Sequence, residues 1–127
     1  MERFLWVCFA GALGSGARYL VSEWAASRYG GAFPVGTLLV NLAGCLLIAA
    51  IVQVGLATAH LSPTLRIALT AGFVGGLTTY SAFNHETWKL AEGGATGLAV
   101  LNVALTLVGC LGAGLVGREL GKLVAAR

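Results

Sequence analysis

The chain has 127 residues, of which 57% are hydrophobic and only 10% are charged, and its mean hydropathy is +0.85. A soluble domain must cover its surface with polar and charged side chains, so this composition excludes one and predicts an integral membrane protein. The net charge of +3 comes from basic residues scattered along the chain, several at helix ends where they reach lipid headgroups, and they form no patch for nucleic acid.

Four apolar segments are long enough to cross a bilayer, which takes about 20 mainly apolar residues. They are Phe4 to Ala26, Val35 to Leu56, Leu65 to His85 and Leu98 to Leu120. The connecting loops are short, so the sequence predicts one all-α transmembrane domain of four helices over residues 1–127. Arg18 and Glu23 precede any signal-peptide cleavage site, and we therefore expect the first helix to be retained.

The first span carries a glycine-rich run, Gly11 to Gly16, followed by Arg18 and Tyr19. A guanidinium group at the bilayer centre costs several kcal/mol unless it is paired or reaches the interface. We therefore interpret Arg18 as a residue that supports the structure, by snorkelling or by bonding a backbone carbonyl, in preference to an ion ligand.

The second span begins with the run Gly36 to Gly44, in which Asn41 is the strongly polar side chain. A carboxamide donates and accepts hydrogen bonds at once, which suits an anion that has lost its water. The same group can form an interhelical hydrogen bond that stabilises packing by about 1 kcal/mol. The sequence favours neither interpretation over the other.

Some residues that often carry chemistry are better interpreted here as structural. Three cysteines lie in three different spans, with no C-x-x-C pair and no neighbouring histidine, so we expect packing residues rather than metal ligands. They are Cys8, Cys45 and Cys110. His60 lies in the loop before the third span, where Ser62 and Pro63 predict an N-cap and a first helical residue, and we expect it at the surface.

The third span contains the most informative stretch, Gly72 to Glu86. Irregular backbone at membrane depth survives only where it is buried in protein or lines a wet path, so we expect a helix break near Gly75 and Gly76 to mark an ion site. The half-helices beside such a break present carbonyls to a cation and amides to an anion. Hydroxyl groups and two aromatic rings follow the glycines: Thr78, Thr79, Ser81, Tyr80 and Phe83. The spacing is also consistent with a kinked helix whose rings merely pack.

Small residues four positions apart recur in the spans and predict close helix packing. The pairs are Ala10 with Gly14, Gly72 with Gly76, Gly109 with Ala113, and Gly117 with Gly121. Four helices of this size have little room to enclose a pathway, so we expect a second copy of the chain to complete it in a two-fold dimer.

The basic residues divide almost evenly between the two sides of the membrane. One side would hold Arg3, Arg66, Arg118, Lys122 and Arg127, and the other Arg18, Arg28 and Lys89. Under the positive-inside rule this small difference favours both termini in the cytoplasm, but it specifies the orientation only weakly.

Taken together, these motifs resemble the small fluoride channels known as Fluc or CrcB proteins. The resemblance covers nearly the whole chain and includes the G-T-L-x-V-N-x-x-G pattern of Gly36 to Gly44 and the G-F-x-G-G-x-T-T-[aromatic]-S-x-F-x-x-E pattern of Gly72 to Glu86. It implies an antiparallel, dual-topology homodimer in the inner membrane of a prokaryote, with two fluoride pores and a structural sodium ion at the dimer centre. Fluoride would flow passively out of the cytoplasm.

The resemblance also implies roles for individual residues. Fluoride-pathway residues would be Asn41, Tyr80, Phe83, Thr79, Ser81, Asn102 and Thr106. Backbone carbonyls of Gly75 and Thr78 would hold the sodium ion, and Glu86 would be a supporting residue like Arg18.

Two features depart from the family pattern. Tyr80 stands where a phenylalanine is usual, which adds a hydroxyl group to the aromatic pair. Cys110 and Gly114 occupy fourth-helix positions where hydroxyl residues occur, so the polar track there is thinner.

Two other classes of function remain as alternatives. A small multidrug-type cation/proton antiporter also uses four helices, but it needs a buried carboxylate, whereas Glu23 and Glu86 lie near span ends. A non-transporting assembly subunit would use every polar motif for packing. The chain has no nucleotide-binding loop, catalytic triad or metal cluster, so we do not expect an enzyme.

Overall fold

The computed structural model of the chain describes residues 1–58 and 61–126. Their regular structure is entirely helical. In chain order the elements are α1 (Glu2–Tyr29), α2 (Val35–Ala57), α3 (Pro63–Ile67), a π-helix (Ala68–Val74), α4 (Gly75–Leu77), α5 (Tyr80–Glu92) and α6 (Thr96–Ala125). His60, expected at the surface, and Arg127, one of the counted basic residues, lie outside the described residues.

Three of the predicted spans are confirmed as single continuous helices. By length and apolar composition, α1, α2 and α6 are each able to cross a membrane. The shortest of them, α2, has 23 residues, and at 1.5 Å per residue this exceeds the roughly 30 Å of a bilayer's hydrocarbon core. Their outer surfaces are apolar as well, since Val108 and Leu111 are 72% and 73% exposed, as a lipid-facing surface requires.

The third span is a broken helix, so the described residues form the four helical segments that the sequence predicts. The break, however, lies at Thr78 and Thr79, whose backbone is extended, with φ of −83° and −153°. Its predicted position at Gly75 and Gly76 is wrong, because α4 begins at Gly75 in ordinary right-handed helical geometry. Gly76 serves packing instead: a Cβ atom there would collide with the carbonyl oxygen of Gly11 in α1.

Close packing through small residues is confirmed in the pairs of helices that form the protein interior. α2 makes its most extensive contacts with α6, where a Cβ atom at Gly121 would lie 2.8 Å from the Ala50 carbonyl oxygen. α1 packs against the π-helix, where a Cβ atom at Gly72 would lie 2.8 Å from the Val7 carbonyl oxygen. Glycine therefore allows backbones to touch where lipid provides no hydrophobic drive for association.

The start of the broken segment follows the predicted capping pattern. Ser62 is the N-cap, and its hydroxyl oxygen accepts a hydrogen bond of 3.2 Å from the amide of Leu65. Pro63 follows as the first helical residue, where its missing N–H leaves no gap in the hydrogen bonding.

Candidate ion-conduction site

The broken segment is held open by a side chain from a neighbouring helix. Asn41 in α2 lies opposite Thr79, whose amide donates a 2.8 Å hydrogen bond to the Asn41 Oδ1 atom. The Asn41 Nδ2 atom in turn donates a 3.1 Å bond to the Thr79 carbonyl oxygen. One carboxamide thus bonds both the amide and the carbonyl of the extended Thr79 residue; we call this pair of bonds the asparagine clamp.

The clamp bears on the two interpretations of Asn41 that the sequence leaves open. The side chain does make the interhelical hydrogen bonds, and it is 8% exposed. Its amide nitrogen carries two hydrogens, and the clamp uses one of them. The other is available for a ligand, so a structural role and an anion-binding role are compatible, and the second stays a prediction.

Threonine hydroxyl groups complete the hydrogen bonding at the break. The Thr79 Oγ1 atom caps α5 by accepting a 3.1 Å bond from the amide of Ala82, and it lies 3.2 Å from the Ser81 hydroxyl oxygen. The Thr78 hydroxyl donates a 3.0 Å bond to the Val74 carbonyl oxygen at the end of the preceding segment. Polar side chains therefore satisfy the backbone amides of Thr79 and Ala82 where the helix is interrupted.

The same rearrangement leaves two backbone carbonyls without their helical partners. In an α-helix the carbonyl of Gly75 would accept from the amide of Thr79, which donates instead to Asn41. The carbonyl of Thr78 would accept from the amide of Ala82, which donates instead to the Thr79 hydroxyl. Both residues named from the sequence as sodium ligands thus have carbonyl oxygens that no longer belong to a helical ladder.

The two aromatic rings after the break sit in different surroundings. Their centroids are 5.4 Å apart and the ring planes are inclined by 57°. Phe83 is 6% exposed, whereas Tyr80 is 77% exposed on the surface of the protomer. Phe83 is thus fixed by the packed helices, whereas Tyr80 lies on the surface of the protomer.

A cavity of about 400 Å³ beside the break brings together most of the residues named from the sequence. We call it the break cavity; its wall is mainly apolar side chains of α2, α5 and α6. The predicted site residues that line it are Asn41, Thr78, Thr79, Tyr80, Phe83 and Thr106. Ser81 and Asn102 are not among its lining residues, although Ser81 reaches it through its contact with Thr79.

Asn102 does not line the break cavity, but it binds α5, one of the helices that do. It is 1% exposed, and its amide donates a 2.8 Å bond to the Thr87 hydroxyl oxygen. The Thr87 hydroxyl donates a 2.7 Å bond to the carbonyl oxygen of Phe83. This relay ties α6 to the turn of α5 that carries the buried aromatic ring, and the place of Asn102 on an ion pathway stays a prediction.

A second cavity, of about 500 Å³, lies between the ends of α1, α2 and α5. Glu86 and Thr37 both line it, and the Thr37 hydroxyl donates a 2.8 Å bond to the Glu86 Oε1 atom. The Glu86 Oε2 atom is buried without a hydrogen-bond partner among the described residues. We call this the end cavity; Thr37, which binds the acidic residue there, lies four positions along α2 from Asn41 of the asparagine clamp.

Arg18 contacts the broken segment from α1. Its Nε atom donates a 3.1 Å hydrogen bond to the carbonyl oxygen of Gly76, one residue before the end of α4. This is the carbonyl pairing considered from the sequence, and it satisfies one of the acceptors that the helix end leaves without a partner. The supporting role of Arg18 in function stays a prediction.

Comparison with known proteins identifies the group to which the chain belongs. The sequence profile of a family described as "CrcB-like protein, Camphor Resistance (CrcB)" matches residues 5–118. The chain belongs to this family. Relatives of the chain are named as ion channels, so the chain is a membrane-embedded member of an ion-channel family and not an enzyme.

Relatives from bacteria support this membership over most of the chain. A protein of Sorangium cellulosum named fluoride-specific ion channel FluC is 45% identical over 126 residues, which cover 99% of each chain. Proteins with the same name are 51% identical in Anaeromyxobacter sp. strain K and 50% identical in Anaeromyxobacter dehalogenans, and they cover 87% and 89% of this chain.

Two polar contacts of the site were not predicted from the sequence. Thr37 was part of the second-span motif, but its bond to Glu86 joins residues 49 positions apart. The spacing of Thr37 and Asn41, one helical turn on the same face of α2, is the signal that could have drawn attention to it. Thr87 carries no such signal, because its partners Phe83 and Asn102 are defined by the packing of α5 on α6.

Proposed function

We propose that the protein is a passive, fluoride-selective ion channel that lowers cytoplasmic fluoride in a prokaryote, from a multi-pass position in the inner membrane. The observation that carries the proposal is the break cavity, in which the asparagine clamp, the Thr79 hydroxyl and the ring of Phe83 meet beside interrupted backbone. The names of its relatives in the CrcB family support fluoride as the ion.

The chemistry of the break cavity suits a small, strongly hydrated anion. Fluoride gives up its water only where other donors replace it, since an unpaired charge is very costly in an apolar medium. Asn41 has one remaining N–H, Thr79 and Thr106 have hydroxyl groups, and the edge of the Phe83 ring is electropositive. None of these groups carries a full charge, so an ion can bind and then leave.

The direction of flow follows from ordinary ionic equilibria. Hydrogen fluoride crosses membranes as a neutral acid in acidic surroundings and ionises in the cytoplasm, where the anion would accumulate. A negative-inside potential drives an anion outward with about 2.3 kcal/mol per charge for each 100 mV. No ATP hydrolysis or proton coupling is required.

The assembly that completes the pathway is an antiparallel homodimer with dual topology and two pores. The large exposure of Tyr80 supports a second copy, because an aromatic ring beside a cavity is otherwise left at the lipid boundary. The weak charge asymmetry between the loops is compatible with insertion in both orientations. Annular lipid would cover the remaining apolar surfaces of α1 and α6.

A structural sodium ion at the centre of this dimer fits the residues present. Hard cations take oxygen ligands, and the carbonyls of Gly75 and Thr78 have lost their helical donors. Gly75 is exposed on the protomer, so its carbonyl is accessible to a symmetry-related copy. The ion would neutralise the negative ends of the broken segments and hold the two copies together.

The decisive experiment is fluoride efflux from liposomes that contain the purified protein. Vesicles loaded with potassium fluoride would be diluted into fluoride-free buffer, and release would be followed with a fluoride electrode. Valinomycin would be added so that potassium ions leave together with fluoride and no opposing membrane potential develops. Rapid fluoride release with chloride retained in parallel vesicles supports the proposal. Proton-driven cation exchange would instead indicate the antiporter, and no flux of either kind a non-transporting subunit.

A further inference from the structure

Two of the three cysteines lie in the wall of the break cavity. Cys45 in α2 and Cys110 in α6 line it together with Asn41 and Thr106, so two helices each contribute one thiol to the same cavity. The third, Cys8 in α1, is exposed and does not line this cavity. All three are free thiols rather than disulfides.

The packing of α2 on α6 explains why these two cysteines line the same cavity. A Cβ atom at Gly109 would lie 2.8 Å from a methyl group of Leu42, and one at Gly114 would lie 4.0 Å from the carbonyl oxygen of Cys45. The side chain of Leu42 thus packs against α6 just before Cys110, and the backbone of Cys45 approaches α6 one helical turn after it. Both cysteines line the one cavity between these contacts.

We propose that Cys45 and Cys110 form a two-thiol site for a soft monovalent cation with a filled d shell, Ag⁺ or Cu⁺, and that occupation of this site closes the anion path. The closing step rests on the proposed channel function, but the binding step does not. The described residues contain no group of three or more His, Cys, Asp or Glu side chains that could hold a metal. Soft cations of this class are selected by thiolate sulfur, and two such ligands are enough for linear coordination.

The charge balance of the step shows why the bound ion would block fluoride. One Ag⁺ displaces one proton from each thiol and forms two Ag–S bonds, so two protons are released and the bis-thiolate complex carries a charge of −1. Ile48, Leu107 and Leu111 also line the cavity and provide little screening for this charge. A fixed negative charge beside Asn41 would repel fluoride, and the silver ion would itself occupy part of the cavity.

The test compares the three cysteines in fluoride efflux with silver nitrate in chloride-free medium. Each variant is normalised to its own untreated flux, and protein-free vesicles with silver control for leakage. Wild type and Cys8→Ser should be inhibited alike, and dithiothreitol should restore the flux. In Cys45→Ser or Cys110→Ser the silver concentration for half inhibition should rise more than roughly tenfold, since even loss of a supporting partner changes metal affinity by about 10-fold to 100-fold.

A second measurement does not depend on flux. In the Cys8→Ser background, bound silver should reach one ion per protomer, with thiolate-to-silver absorption in the ultraviolet, and further change of either cavity cysteine to serine should remove this tight binding. Equal binding without one of these cysteines would overturn the two-thiol site, as would equal inhibition of all three single variants. Tight binding with unimpaired fluoride flux would overturn the blocking step. If binding requires both cysteines while untreated wild type carries no fluoride, the site stands and the channel function fails.

Discussion

The helix pair α2–α6 and the broken segment from Pro63 to Glu92 both have to satisfy backbone hydrogen bonds at membrane depth, and they do so in opposite ways. α2 and α6 keep their backbone hydrogen bonds within each helix and approach each other through glycine, as at Gly117 and Gly121. The broken segment gives up part of its ladder at Thr79 and recovers the bonds from side chains. Polar side chains in this protein are therefore concentrated where backbone is interrupted, and the same interruption provides groups that can bind ions.

The largest expected effect comes from breaking the asparagine clamp with Asn41→Asp. The carboxylate still accepts from the Thr79 amide but cannot donate to the Thr79 carbonyl, and it repels an anion. Fluoride flux per folded dimer should fall to the level of protein-free vesicles, and the free energy of unfolding by about 1–3 kcal/mol. Gln53→Glu, the same chemical change elsewhere in α2, should retain most of the flux. A conducting Asn41→Asp dimer would remove Asn41 from the anion path.

Phe83→Ile should reduce flux strongly while the protein remains folded. It removes the electropositive ring edge from the break cavity but keeps a large apolar side chain at a buried position, so the free energy of unfolding should change by less than about 1.5 kcal/mol. Efflux and thermal unfolding of the same preparation separate the two effects. Phe9→Ile, on the exposed face of α1, is the matched control and should conduct normally. Equal flux in both variants would contradict a role for the ring.

Gly117→Ala tests whether the continuous helices α2 and α6 depend on glycine for their close contact. A Cβ atom at Gly117 would collide with the backbone carbonyl of Leu46, so α2 and α6 must separate, at a cost of about 1–3 kcal/mol. Gly112→Ala is the control in the same helix, since a Cβ atom there has no neighbour within 4 Å, and it should be neutral or stabilising. The check is the denaturation midpoint in detergent. Equal stabilisation by both changes would mean that helix propensity, rather than close packing, decides the outcome.

Arg18→Gln should affect assembly more than ion selection. The variant loses the bond from Nε to the Gly76 carbonyl oxygen, and hydrogen bonds to charged groups are worth about 1.5–3 kcal/mol. We expect a lower yield of dimer by size-exclusion chromatography and an unchanged preference for fluoride over chloride, with Arg3→Gln at the exposed N-terminus as the control. A well-folded Arg18→Gln dimer that conducts chloride would assign the arginine to the selectivity of the path.

The smallest effect is expected from Tyr80→Phe. The tyrosine is 77% exposed, and its ring, not its hydroxyl group, makes the contact with Phe83. The change restores the residue that is usual in the family and should preserve fluoride flux. A large loss of flux in this variant would show that the hydroxyl group contributes a donor to the ion.

The sequence predicts the four helical segments well because their signals are local. Apolar length locates α1, α2 and α6, and the Ser62–Pro63 pair marks the start of the third segment. The position of the break could not be obtained in this way. Glycine is permissive in an interrupted helix and also at a close helix contact, and only the approach of α1 shows that Gly76 serves the second purpose.

The sequence predicts which residues belong to the site better than it predicts the hydrogen bonds that join them. Asn41, Thr79 and Phe83 are identified from motifs, but the clamp joins residues 38 positions apart, and the Asn102–Thr87 bond depends on how α6 packs on α5. The position of Cys45 and Cys110 in the wall of one cavity likewise depends on how α2 and α6 are aligned. Such long-range pairs leave no periodic trace in a single chain.

The asparagine clamp also determines how the protein can move. Any displacement that pulls α5 away from α2 at the break must rupture two hydrogen bonds at once, so the width of the path is mechanically coupled to the backbone of Thr79. The amide proton of Thr79, although it lies outside every helix, should therefore exchange with solvent as slowly as one inside a helix. In the channel that we propose, a path held in this way would need no moving gate and would keep one shape while ions pass.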